Sequence, residues 1–175
     1  LSMGYLVALG VMFFLLTILF GGYAQPLLVM MAIPFGMVGA FLGHFLLGYS
    51  VTLWSLVGVI AVSGVVVNDN LVLIDGINRL RREGVALTEA IVEGASDRLR
   101  PILLTSLTTF AGVAPLMLET SAQARFLVPM AISLAFGVLF ATLVSLLLVP
   151  CLMAAGQDLR PSSWRVGARP ASVDR

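Results

Sequence analysis

No Asp, Glu, Lys or Arg precedes Asp69 in the chain, and two more long stretches, at residues 102–118 and 126–154, are free of charge. A helix needs roughly 17 to 25 apolar residues to cross a hydrocarbon core of about 30 Å. Runs this apolar must be helical in lipid, because no water is present there to bond with the backbone, and none of them alternates as a strand does. The sequence therefore predicts an all-α, polytopic membrane helix bundle of five transmembrane helices, at about residues 3–20, 27–47, 52–75, 102–118 and 126–154.

Composition supports a membrane protein and excludes several other classes. The chain is 59% hydrophobic and 11% charged, whereas soluble domains carry about 25% charged residues. One His and the single Cys151 cannot build a metal site, and no phosphate-binding loop or nucleophile–base set is visible, so neither a cofactor nor an enzyme activity is predicted. The basic residues lack interleaved aromatics, which argues against nucleic acid as a partner.

The arginines predict the orientation. Residues 79–100 contain five of the ten arginines and residues 156–175 contain four, whereas the opposite loops hold only Arg125. Positive residues favour the cytoplasmic side, so we expect the chain to start outside and end inside. The connector 79–100 is expected to form a short amphipathic surface helix from near Thr88, and the tail 156–175 is expected to be disordered.

A carboxylic acid in the third run is the strongest functional signal. Asn68, Asp69 and Asn70 occupy three successive helical positions, and Asp75 returns to the stripe of Asn68. An ionised, unpaired carboxylate at that depth costs several kcal/mol, so Asp69 is predicted to titrate in a transport cycle. Two alternatives remain open: Asp69 could be a permanently neutral packing residue, and Asp75 could be hydrated at the membrane boundary.

The fourth run supplies candidate partners for this acid. Thr105, Thr108 and Thr109 share one helical face, with Ser106 beside it. Counted inward from the flanking arginines at the helical rise, Asp69, Thr108 and Thr109 lie at similar depths, about 12 to 15 Å, and Thr105 lies one turn nearer the cytoplasm. Hydroxyls donate to a carboxylate and accept from a carboxylic acid, so they can serve both states. The alternative is that each threonine bonds to its own backbone.

Two segments resemble the resistance-nodulation-division (RND) efflux permeases. They are Gly-Val-Val-Val-Asn-Asp-Asn-Leu-Val-Leu-Ile-Asp at residues 64–75 and Arg-Leu-Arg-Pro-Ile-Leu-Leu-Thr-Ser-Leu-Thr-Thr at residues 98–109. The segment 33–44, with Ile-Pro-Phe-Gly and Gly-Ala-Phe-Leu-Gly-His, fits the same family. The resemblance extends over about residues 3–155.

The resemblance implies a homotrimeric proton antiporter in the bacterial inner membrane, built from two six-span halves. This chain would be spans eight to twelve, with a cytoplasmic C-terminus and the proton as coupling ion. Since the chain starts at Leu1 rather than Met, we expect it to be part of a larger protein whose N-terminal portion is missing here. A periplasmic adaptor, an outer-membrane channel and the export of drugs or toxic amphiphiles are implied by the family alone.

Residue roles carry over from the resemblance at only a few positions. Thr105 matches the family's relay threonine and Arg98 its relay arginine, while the relay lysine position falls at Asn68, or at Asp69 if the alignment slips by one. No Lys is present, so Asp69 is expected to bind the proton, or another cation, itself. The competing hypotheses are a non-transporting membrane anchor, an assembly or protein-export auxiliary of the same superfamily, and a remnant without activity.

Overall fold

The computed structural model describes residues 2–121 and 124–158, and every regular element in those ranges is helical. Five segments are long and apolar enough to cross a membrane, which confirms the predicted all-α bundle. The predicted disorder of the tail falls, from residue 159 onward, outside the described residues. The helices are α1 (Ser2–Phe20), α2 (Ala24–Met30), α3 (Ile33–Leu47), α4 (Leu53–Arg82), α5 (Leu87–Met117) and α6 (Leu127–Asp158), with a 3-10 turn at Ala124–Phe126.

Helix α6 is the centre of the bundle. It packs against α3, α4 and α5, and half of its span is buried. Helix α1, in contrast, lies at the periphery, since only 6% of its span is buried and it contacts chiefly α2. One hydrogen bond of 2.8 Å, between the Tyr5 and Ser63 hydroxyls, ties α1 to α4. The described bundle is therefore a core of α3 to α6 with α1 at its edge.

Glycines set the close contact between α3 and α6. A Cβ atom on Gly39 would lie 2.5 Å from the Phe140 Cβ and 2.7 Å from the Phe136 carbonyl oxygen. A Cβ on Gly43 would lie 2.5 Å from the Phe136 Cγ. Small residues at such positions let helix backbones approach closely in a membrane, where van der Waals packing drives association.

The second span is two helices rather than one. α2 ends at Met30, a turn covers residues 31–32, and Pro34 lies in the first turn of α3. Proline has no backbone N–H and clashes with the preceding turn, so a continuous helix through this point is disfavoured. The span therefore carries a built-in break, which exposes backbone carbonyls at the end of α2 to bonding from neighbouring helices.

The connector differs from its sequence prediction. Residues 79–100 do not form a separate surface helix: α4 continues to Arg82, residues 83–86 turn with Gly84 at φ 92°, and α5 then runs unbroken through Pro101. The physical reason is packing, because Ala90, Ile91 and Gly94 are buried, Gly94 directly against Ile77 of α4. The two long helices thus form one antiparallel hairpin that extends past the predicted spans.

Candidate functional site

The three consecutive polar residues of α4 point in three directions, because successive side chains on a helix differ by about 100°. Asn68 is exposed, Asp69 is 7% exposed and Asn70 is 1% exposed. Asp75, on the stripe of Asn68, is also exposed. The predicted polar cluster is therefore divided between a buried part and a part on the outside of the described bundle.

Asn70 has a structural role in the backbone break of the second span. Its Nδ2 donates to the Val29 carbonyl oxygen at 3.3 Å, near the end of α2. That carbonyl lies where the helical ladder is interrupted, so the amide replaces a lost backbone donor. The sequence predicted Asn70 as part of a proton relay, which stays a prediction; in the structure its amide bonds to α2.

Asp69 is a buried acid without a hydrogen-bond partner. Among the described residues, the Asp69 Oδ2 and the Ser133 hydroxyl are the buried side-chain polar atoms that lack one. Native structures satisfy most such atoms, so an orphan carboxyl oxygen calls for an explanation in terms of function, water or an ion.

The residues seven positions away from Asp69 lie on the same helical stripe. Val62, seven residues before Asp69, packs against Gly36 of α3 and Gly137 of α6. Gly76, seven residues after Asp69, lies against Arg98 of α5. Asp69 therefore lies on a stripe of α4 whose other members contact α3, α5 and α6.

The predicted threonine partners bond to their own helix. The Thr105 hydroxyl donates to the Pro101 carbonyl at 3.0 Å, Thr108 to Leu104 at 2.8 Å, and Thr109 to Thr105 at 2.8 Å. Thr105 and Thr108 are exposed and Thr109 is half-buried. Within the described residues, no hydrogen bond joins these hydroxyls to Asp69.

A different hydroxyl group occupies the buried face of α5. The Ser106 Oγ lies 2.6 Å from the Thr142 Oγ1 of α6, and the Ser145 hydroxyl donates to the Thr142 carbonyl at 3.2 Å. Sequence reasoning named Ser106 only as a neighbour of the threonines and missed both α6 residues. The available signal was the spacing of Thr142 and Ser145, three residues apart in a run whose only other hydroxyl side chain is Ser133.

The antiparallel register brings this hydroxyl group to the depth of Asp69. Gly76 of α4 contacts the side chain of Arg98 of α5. Because the two helices are antiparallel, seven residues before Gly76 is Asp69 and seven residues after Arg98 is Thr105. Ser106 is the next residue, and it is the one that points inward. The acid and the hydroxyl pair thus lie within about one helical turn of each other in depth.

Arg98 is half-buried about two turns from this level, toward the arginine-rich end. A Cβ on Gly76 would lie 3.3 Å from its Nε and 3.6 Å from its Cγ, so the glycine provides the surface on which the side chain rests. The one ion pair among the described residues is Arg79 with Glu83, at 3.8 Å. Arg98 therefore has no carboxylate within ion-pair distance in the part of the chain described.

The chain matches one protein family over most of its length. Residues 1–155 fit the model of the AcrB/AcrD/AcrF family. The chain belongs to that family. This confirms the resemblance to the RND efflux permeases, whose members are transporters rather than enzymes.

Three relatives of this RND chain illustrate the range of the family. It is 32% identical over 151 residues to the swarming motility protein SwrC of Bacillus subtilis, covering 86% of this chain and 14% of SwrC. It is 37% identical over 146 residues to the cobalt-zinc-cadmium resistance protein CzcA of Cupriavidus metallidurans, covering 83% and 14%. It is 31% identical over 156 residues to the multidrug resistance protein MdtF of Escherichia coli K12, covering 89% and 15%.

Solved structures extend the match to the RND fold. The crystal structure of a heavy metal efflux pump, crystal form II, aligns with a TM-score of 0.77 at 33% identity and covers 87% of this chain. Crystal form I aligns with a TM-score of 0.74 at 32% identity. The chain covers 15% of each pump chain, so it corresponds to a small part of such a transporter.

Proposed function

We propose that this RND chain forms spans eight to twelve of a proton-driven efflux permease of the bacterial inner membrane, with Asp69 as the proton-binding group. The observation that carries the proposal is the buried Asp69 Oδ2, which has no hydrogen-bond partner in the described residues. Ionisable groups within membrane spans are costly and mark ion pathways and proton relays. The family match supports a role in transport, and the Asp69 carboxyl group is the proposed site of proton binding.

The proposed working step is a change in hydrogen bonding around this acid. In this proposal, α4 shifts against α5 and α6 when Asp69 is ionised, and a hydroxyl of the Ser106–Thr142 pair then donates to the carboxylate, since either oxygen of that pair can be the donor. When Asp69 is protonated, its own O–H donates and the carboxyl charge is gone. This exchange alters the packing of α4 against α5 and α6, and the helices transmit the change to the periplasmic part of the pump.

The exposed polar stripe fits a bundle that another half of the pump covers. Asn68 and Asp75 on α4 and Thr105 and Thr108 on α5 are exposed in the described residues. Polar side chains in membrane spans usually face protein or a water-filled cavity. We propose that the N-terminal half of the permease covers this stripe, with Arg98 at its cytoplasmic end, in a homotrimer served by an adaptor and an outer-membrane channel.

Two substrate classes are supported by different relatives. MdtF is named for multidrug resistance, which favours lipophilic drugs or toxic amphiphiles. CzcA is named for resistance to cobalt, zinc and cadmium, and its identity to this chain is 37%, against 31% for MdtF. The two similar solved structures are also of a heavy metal efflux pump. Divalent metal ions are therefore the second candidate substrate, selected in parts of the pump outside this chain.

The test is proton-coupled transport by the intact protein that contains residues 1–175, reconstituted in liposomes with an imposed pH gradient. We expect Asp69→Asn to abolish both proton flux and export, and Asp69→Glu to retain part of each because it keeps a titratable group. Glu89→Gln is the control, since it removes an exposed carboxylate at the start of α5, outside the polar stripe and outside the predicted spans. Export of a cationic dye and of Zn²⁺ are measured in parallel to separate the substrate classes.

The outcomes separate the proposal from its competitor. A membrane anchor or assembly factor would show no proton flux in the unmodified protein, and its Asp69 would tolerate Asn. Infrared difference spectra between acid and alkaline pH provide an independent check, because a protonated carboxyl band that disappears in Asp69→Asn assigns the titration to this residue. Undiminished coupled export by Asp69→Asn would reject Asp69 as the proton-binding group.

A further inference from the structure

A polar cavity lies at the arginine-rich end of the bundle, apart from the proposed proton site. It has a volume of about 350 Å³. Its lining comes from the end of α1, the start of α2 and the last turns of α4, namely Phe20, Gln25, Asn78, Arg81 and Arg82. These helix ends lie at one end of the candidate membrane spans, the end at which Arg79, Arg81 and Arg82 are found.

The wall of this cavity is fixed by a reciprocal amide pair. The Gln25 Nε2 donates to the Asn78 Oδ1 at 3.1 Å, and the Asn78 Nδ2 donates to the Gln25 Oε1 at 3.0 Å. Each amide nitrogen carries a second N–H that these bonds do not use. The pair therefore joins α2 to α4 and keeps two donors for a ligand.

Two guanidinium groups complete the polar side. Arg81 and Arg82 are exposed, and in the described part of the chain neither has a carboxylate within 4.0 Å. The neighbouring Arg79 is the one that pairs with Glu83. Arginine forks bind phosphate oxygens in a bidentate manner, so this edge of the cavity is suited to a phosphate group.

An apolar cavity of about 130 Å³ adjoins the polar one and shares Gln25 and Arg81 with it. It runs between α2, α5 and α6, toward the interior of the bundle. Its apolar lining comes from Leu28, Leu87, Leu152 and Met153. The two cavities together present cations and amides at one end and a hydrocarbon-lined groove at the other.

We propose that this paired cavity binds an anionic phospholipid, with the phosphate on Arg81 and Arg82 and the start of an acyl chain in the groove lined by Leu28, Leu87, Leu152 and Met153. Charge complementarity selects an anionic headgroup, and the apolar groove beside it selects a lipid over free phosphate. Basic pockets between membrane helices at the cytoplasmic surface are suited to such headgroups.

The test measures phospholipid bound to the intact protein in nanodiscs that contain phosphatidylglycerol and phosphatidylcholine, counted by native mass spectrometry. We expect the double variant Arg81→Gln, Arg82→Gln to bind phosphatidylglycerol less tightly by about fivefold for each arginine removed. Arg79→Gln is the control for each single variant, Arg81→Gln or Arg82→Gln, because it likewise removes one positive charge from this helix end but lies outside the cavity lining. It should leave the bound phosphatidylglycerol unchanged.

Two further measurements separate a lipid site from the alternatives. Leu152→Trp fills the groove without changing charge and should reduce bound phosphatidylglycerol; if it unfolds the protein, the arginine comparison decides alone. Inorganic phosphate should displace the lipid only weakly, and displacement at equal concentrations would show a phosphate site instead. Equal loss per charge removed, in Arg79→Gln and in the single variants of Arg81 and Arg82, would show general surface attraction instead of a site. No loss in the double variant would overturn the proposal outright.

Discussion

The Ser106 hydroxyl oxygen of α5 lies 2.6 Å from the Thr142 hydroxyl oxygen of α6, and both side chains are buried. This hydrogen bond crosses the interface between the central helix and the helix that carries the exposed threonines. It lies at the depth of Asp69, where the proposed proton carrier requires donors that can reorient. The pair joins α5 to α6, and under the proposed function it would also take part in proton transfer.

The contribution of this pair to packing can be measured with a double-mutant cycle. Ser106→Ala and Thr142→Val each remove one partner, and the double variant removes both. We expect a coupling energy of about 0.6 kcal/mol, and at most about 1.7 kcal/mol, as for other hydrogen bonds between membrane helices. The free energy of unfolding of the intact protein in detergent is the quantity to measure. Strictly additive effects of the two substitutions would show that the hydrogen bond does not stabilise the interface.

The close approach of α3 and α6 predicts a cost for adding a single methyl group. Gly39→Ala would place a Cβ 2.5 Å from the Phe140 Cβ, so the helices must separate, at a cost of about 1 to 3 kcal/mol. Gly10→Ala in α1 is the control, because its Cβ would meet nothing within 4 Å. The midpoint of thermal unfolding should fall for the first variant and not for the second. A similar midpoint for both would contradict the tight crossing.

A second glycine pair tests the hairpin of α4 and α5. A Cβ on Gly94 would lie 3.2 Å from the Ile77 Cα, which is backbone and cannot yield easily. A Cβ on Gly76 would lie 3.3 Å from the Arg98 Nε, part of a flexible side chain that can move. Both substitutions replace Gly by Ala within a helix and gain the same helix propensity. The difference in unfolding free energy between the two variants therefore reports the contact of the added methyl group with its neighbour. We expect Gly94→Ala to be less stable than Gly76→Ala by about 1 to 3 kcal/mol.

For that hairpin, the opposite order of stability would show that the register assigned to α4 and α5 is wrong. Gly76→Ala has a second use, since it moves Arg98 while leaving its charge in place. Reduced transport at unchanged stability would assign Gly76 a positioning role for that arginine.

His44 and Ser55 form a buried hydrogen bond of 2.7 Å at the end of the bundle opposite the arginines. The same Ser55 hydroxyl accepts from the Thr52 backbone N–H at 3.0 Å, as part of the cap that begins α4. Ser55→Ala leaves the imidazole nitrogen buried without a partner, which should cost about 1 to 3 kcal/mol.

The control for Ser55→Ala is Ser96→Ala, a serine that is exposed and bonds only to Val92 of its own helix. Surface changes of this kind stay within about 0.5 kcal/mol. Chemical denaturation of the two variants under one set of conditions gives the comparison. Equal stability would show that His44 finds another partner when Ser55 is lost.

The sequence alone determined the number and kind of helices and the presence of an acid within the third. Crossing a hydrocarbon layer requires length and apolar composition, and both are local properties of a segment that can be counted. The family resemblance was equally accessible, because residues 64–75 and 98–109 carry their signal in residue order. The presence of Asp69 in an apolar span followed from the same counting.

Only the tertiary structure decided which side of each helix faces a neighbour. Spans such as α6 are apolar all around, so hydropathy does not distinguish a buried face from one that meets lipid. Thus Ser106 is buried whereas Thr105 is exposed, and Asn70 is hydrogen-bonded to Val29. The end of the connector is part of α5, because Gly94 packs against Ile77 of α4. These outcomes depend on contacts between residues far apart in the chain, and no local pattern encodes them.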